Sequence, residues 1–62
     1  MKTYMITTIT TYVFEAESDE EAINLVENNF SDIEEGIEGE QLETLNVMDE
    51  SGYFDEVIKD YR

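Results

Sequence analysis

The side chains able to do chemistry in this 62-residue sequence are almost all carboxylates. Seventeen Asp and Glu stand against three Lys and Arg, with no His and no Cys. Acid–base and nucleophilic catalysis usually draw on His, Cys or an activated Lys. Lys2 and Lys59 lie near the two ends, and Ser18, Ser31 and Ser51 have no base to activate them. Paired carboxylates alone can hydrolyse glycosides, but a core this small can hardly frame a sugar-sized cleft. Asp49, Ser51 and Asp55 have the look of a partial calcium loop, without the acids, the Gly and the bidentate ligand that such a loop requires. A hairpin turn with polar residues explains them better. The expectation is a protein that is not an enzyme, with no catalytic residues, no metal site and no cofactor.

The remaining chemistry is electrostatic. The net charge is −14, and the acids fall into three groups along the chain. Glu20, Glu21 and Glu27 belong to a predicted helix. Glu34, Glu35, Glu38 and Glu40 crowd the segment after it. Asp49, Glu50, Asp55 and Glu56 surround a predicted turn. These eleven are the candidate partner-binding residues. Duplex DNA carries one negative charge per about 1.7 Å of its axis, so carboxylates laid along a surface at comparable density can occupy a basic DNA- or RNA-binding channel. The expected partner is a basic protein surface, one used for nucleic acid. Direct contact with nucleic acid or with an anionic membrane is disfavoured by like charge. A plainer reading is a solvated surface that keeps a small protein soluble. Adaptation to high salt fits less well, because Glu exceeds Asp by 12 to 5.

In size, acidity and lack of His and Cys, the chain resembles small phage-encoded acidic proteins that block host DNA-binding machinery: anti-restriction, anti-CRISPR and transcription-inhibiting proteins. The resemblance covers composition along the whole chain and carries no residue motif. It implies a non-enzymatic inhibitor of host nucleic-acid machinery that acts by nucleic-acid mimicry in the cytoplasm, the host's if phage-encoded. The stretch Phe14 to Ile23 also looks like the strand-to-helix junction of many small phage and bacterial α+β proteins. Two other readings stand beside this one. The chain could be an accessory subunit or adaptor that binds through Tyr4, Ile6, Tyr12 and Phe14 of its first strand. It could also be an antitoxin-like neutraliser of a basic protein.

The elements that must carry these groups are legible from periodicity. Tyr4 to Phe14 is β-branched or aromatic almost throughout, with no Gly or Asn to turn on, and predicts one long strand. Ser18 followed by Glu21 has the spacing of a capping box, and Asp19, Glu20 and Glu21 suit the positive end of a helix dipole. Ala22, Ile23, Leu25, Val26 and Phe30 follow on one helical face, which predicts a helix over Asp19 to Asn29. Ser31 to Glu40 reads as a loop and Leu42 to Met48 as a strand with Leu45 and Val47 on one face. Asp49 to Gly52 reads as a turn. Tyr53 to Tyr61 fits helical spacing through Phe54, Val57, Ile58 and Tyr61, but the preceding turn favours a returning strand. The fold class is α+β: a small antiparallel or mixed sheet with one helix on a face, in the order strand-helix-strand-strand.

Residues 1–62 form a single small acidic domain. A chain of this length buries only roughly 60% of the surface its unfolded form exposes, so it usually needs a staple. Disulfides and ordinary zinc sites are excluded by composition, which leaves homodimerisation. No apolar run approaches the roughly 20 residues that cross a bilayer, and Met1 to Thr11 lacks an apolar signal core. The expected location is the cytoplasm.

Overall fold

The computed structural model describes residues 1–30, 33 and 41–62. The element order is β1 (Lys2–Thr7), β2 (Thr11–Ala16), α1 (Asp19–Asn28), β3 (Thr44–Val47) and β4 (Glu56–Asp60). The four strands form one antiparallel sheet in the order β2-β1-β3-β4, and α1 packs on one face. The expected α+β architecture is present.

The long first strand is not. The chain folds back after Thr7, and β1 and β2 pair with Tyr4 opposite Phe14, Ile6 opposite Tyr12 and Thr7 opposite Thr11. Thr8 itself builds the turn: its backbone N–H donates to Thr10 O at 2.7 Å, and its Oγ1 accepts from Thr10 N at 3.0 Å. A hydroxyl thus does what Gly or Asn usually does in a tight turn, and no residue from Thr8 to Thr10 has positive φ. The linker is three residues long, so the alternation of faces carries across it unchanged. Tyr4, Ile6, Tyr12 and Phe14 share one side, as the period-2 pattern expects.

That side is the core. Tyr4, Ile6, Ala16, Leu45 and Val47 of the sheet meet Ala22 and Val26 of α1, all buried. Tyr12, Phe14, Ile23, Leu25, Phe30, Ile33, Leu42, Ile58 and Tyr61 close round them. The Tyr4 and Phe14 rings stack with centroids 5.7 Å apart, and Tyr12 meets Phe30 edge-on at 6.1 Å. Each fully buried aliphatic or aromatic side chain contributes about 1.5–3 kcal/mol, which puts most of the stability in a few residues.

The helix starts and ends as its sequence dictates. Ser18 is extended at φ −150° and accepts from Glu21 N through Oγ at 3.1 Å, and Asn29 caps the other end. β3 is shorter than Leu42 to Met48 but keeps Leu45 and Val47 inward. Gly52 sits at φ 86° between β3 and β4, in the left-handed region that Gly tolerates. Of Tyr53 to Tyr61, only Glu56–Asp60 is strand. A register shift opposite Leu45 and Asn46 breaks its alternation. Ile58 and Tyr61 therefore both reach the core, at the three-residue spacing that mimics a helix.

Candidate functional site

Three of the candidate acids share the outer side of α1. Glu20, Glu21 and Glu27 are exposed, and with Ser18, Ile23, Asn24 and Asn28 they line an open groove of about 500 Å³. Asn28 Nδ2 donates to Asn24 Oδ1 at 2.8 Å along the same groove. Their position follows from the amphipathic spacing that sends Ala22 and Val26 inward. Glu20 and Glu21 also lie in the first turn, where the helix dipole favours negative charge.

Glu27 differs from its two neighbours. Its Oε2 accepts from Lys59 Nζ and from Tyr61 Oη, the latter at 3.0 Å. Lys59 also lies 5.1 Å from the centroid of the Tyr61 ring. Hydrogen bonding from Lys59, then from Tyr61, holds the Glu27 carboxyl below the usual range. Burial, then the Glu27 carboxylate, drives the Tyr61 phenol upward. Glu27 is the clamp between α1 and the end of β4. Sequence spacing gave no sign of this, because its partners lie 32 and 34 residues away.

Asp49, Glu50, Asp55 and Glu56 are all exposed around the β3–β4 connection, away from strand interiors. Asp49 is part of the turn itself: Oδ1 accepts from Ser51 N at 2.9 Å and Tyr53 N at 3.0 Å. Glu34, Glu35, Glu38 and Glu40 lie outside the described residues. Among the described residues the candidate acids therefore form two groups, one on α1 and one on the β3–β4 connection.

All three cations of the chain are committed. Lys2 pairs with Asp19 at 3.8 Å, Lys59 with Glu27, and Arg62 with Asp60 at 3.1 Å. Arg62 holds Asp60 through its backbone N–H, Nε and Nη2, which keeps that carboxyl below its ordinary range. Among the described residues, Glu15, Glu17, Glu20, Glu21, Asp49, Glu50, Asp55 and Glu56 are exposed, and Glu43 is half-buried. Among the described residues no group of three or more His, Cys, Asp or Glu is placed to hold a metal ion. Among them, too, no helix is long and apolar enough to cross a membrane.

The apolar surface proposed for an adaptor is corrected by the fold. Tyr4 and Ile6 have no exposed area, and Tyr12 and Phe14 are half-buried beneath the helix side of the sheet. Tyr4 in particular is a core residue rather than a surface anchor. No protein-family model, no curated protein and no solved structure matches this chain.

Proposed function

We propose that this chain is a small acidic, non-enzymatic inhibitor or regulator that occupies a basic, nucleic-acid-binding site on a host protein. The observation that carries this reading is the commitment of Lys2, Lys59 and Arg62 to Asp19, Glu27 and Asp60. The net charge is −14, and the candidate acids among the described residues are exposed on α1 and around the β3–β4 connection. A basic channel that has evolved to displace counterions from phosphates gains in the same way from fixed carboxylates. Association is steered by the same field, so it is fast and falls steeply with salt. Glu20 and Glu21 on α1 and Glu50, Asp55 and Glu56 on the β3–β4 connection are the contacts we assign. Glu27 and Asp49 contribute less, because their oxygens already serve Lys59, Tyr61 and the turn backbone.

The test is competition. The protein is titrated into complexes of DNA with candidate polymerases, nucleases and repressors, from low to high salt. DNA is displaced at low salt, and Glu20→Gln with Glu21→Gln weakens the displacement without unfolding the chain. Failure to displace DNA from any basic partner at low salt overturns the reading.

A further inference from the structure

β2 is an outer strand, and the direction of its amide groups can be read residue by residue. In an antiparallel pair a residue sends its N–H and C=O to the same side, and successive residues alternate. Met48 N donates to Thr3 O and Glu43 N to Thr7 O, both at 2.8 Å, so the odd-numbered residues of β1 serve β3. Tyr4 and Ile6 then serve β2, where they face Phe14 and Tyr12. The bond from Thr8 N to Thr10 O continues the same series at the turn. Thr11, Val13 and Glu15 are left with N–H and C=O directed outward, and among the described residues no strand lies beyond them.

The two edges of the sheet are not alike. β4 carries a register shift and the charges of Glu56, Lys59 and Asp60, features that discourage a further strand. β2 has no Pro, no shift in its pairing and a single charge at Glu15. Val13 is 59% exposed on it.

We infer that β2 is a dimerisation edge, and that it pairs antiparallel with β2 of a second copy about Val13. Centring on Val13 is the register that uses all three outward-facing residues within the strand. Val13 stands opposite Val13, and Thr11 of each copy stands opposite Glu15 of the other. Each opposed pair exchanges two backbone hydrogen bonds. On the helix side Tyr12 falls opposite Phe14, a cross-strand aromatic pair that adds to the half-buried rings already there. The fit is self-complementary in charge as well, since the one acid of the strand meets a threonine and not its own copy. Pairing joins two four-stranded sheets into one of eight, which supplies the staple that so small a core lacks. This inference stands independently of the partner proposed above.

Sedimentation equilibrium and amide hydrogen exchange on the full chain, at low and high salt, test it. The dimer is expected to strengthen at high salt, where repulsion between two highly acidic chains is screened. The amides of Thr11, Val13 and Glu15 should exchange more slowly as protein concentration rises. Chemical synthesis with N-methyl-Val13 removes an outward N–H and leaves the β1–β2 bonds untouched. It should weaken dimerisation at least about tenfold through the loss of two hydrogen bonds, with an unchanged circular dichroism spectrum. A monomer at every concentration and salt overturns the inference. So does a dimer indifferent to N-methylation, or protection that grows along Glu56–Asp60 instead. If the N-methyl chain does not fold, the concentration dependence of exchange in the unmodified chain decides between these outcomes.

Discussion

The phenolic hydroxyl of Tyr4 donates to Asp19 Oδ1 at 2.7 Å, linking the middle of the sheet to the first turn of α1. The ring of Tyr4 is wholly buried, yet its polar end reaches the helix start, where Lys2 also approaches Asp19. One residue thus fills the core and fixes where the helix begins. Tyr4→Phe keeps the packing and removes only the hydrogen bond. The expected loss is about 1 kcal/mol, or a fall of roughly 4–8 °C in Tm for a domain of this size. An unchanged Tm would show that the bond contributes nothing net.

Tyr4 also sets an alkaline limit. Burial, then the hydrogen bond to Asp19, pushes its pKa from 10.0 up to about 12. A group whose folded pKa is raised contributes stability that is complete below its unfolded pKa and lost as pH climbs through the folded one. The contribution therefore persists to about pH 10 and fades toward pH 12. Ultraviolet titration of tyrosinate should show an absorbance step near the upper limit that Tyr4→Phe abolishes. A step that survives the substitution would assign it elsewhere.

Glu27 gives the opposite sign. Its carboxyl is held below the usual 4.5 by Lys59 and Tyr61. A depressed pKa contributes stability above the unfolded value and loses it as pH falls through the folded value. The advantage of the parent over Glu27→Gln should be full at neutral pH and shrink below about pH 4.5. Thermal melts of both chains across that range check it, and a constant difference in Tm would mean that the clamp does not depend on charge.

Local chemistry made part of this fold readable in advance. Ser18 and Glu21 announce the helix because a cap is a matter of neighbours, and Ala22 and Val26 announce its inward side. The hairpin at Thr8–Thr10 was hidden because threonine is also a strand residue, and the turn rests on backbone and hydroxyl hydrogen bonds between Thr8 and Thr10. The three-residue linker nonetheless preserves parity, so the faces of Tyr4 to Phe14 were legible although their strand was not one. The displacement at Ile58 gave β4 a helix-like spacing, and the turn before it is what favoured the strand that is found. Of the candidate acids, Glu20 and Glu21 were legible as outward, whereas the hold of Lys59 and Tyr61 on Glu27 depends on tertiary packing alone.

Repulsion among the displayed carboxylates should make stability depend on salt. The three ion pairs among the described residues are few against a net charge of −14, and each exposed pair is worth about 0–1 kcal/mol. Screening the many repulsions then outweighs screening the few attractions. Tm should rise with added NaCl, measured at neutral pH. A flat or falling response would mean that the acids stand too far apart to interact.

Asn46 lies on the face of the sheet away from α1, between Met5 and Val57, and is nearly buried. Its Nδ2 donates to Phe54 O at 2.7 Å, and its Oδ1 has no partner among the described residues. Asn46→Asp replaces that donor with a carboxylate facing a carbonyl. The expected cost is about 3 kcal/mol or more at neutral pH, enough to unfold much of a chain whose total stability is on the order of 3–9 kcal/mol. Circular dichroism should show partial recovery in acid, where a protonated Asp can donate to Phe54. Near-parental stability at neutral pH would refute the role of this contact.

The displacement in β4 has a consequence for growth. A sheet with two welcoming edges can add copies without end, and an acidic chain that loses its charge in mild acid would then polymerise into fibres. Here one side is sealed by an irregular, charged strand, and the welcoming side is consumed when two copies meet by a twofold axis. Such a contact closes on itself. On the pairing inferred above, assembly would stop at two copies and would not propagate into filaments.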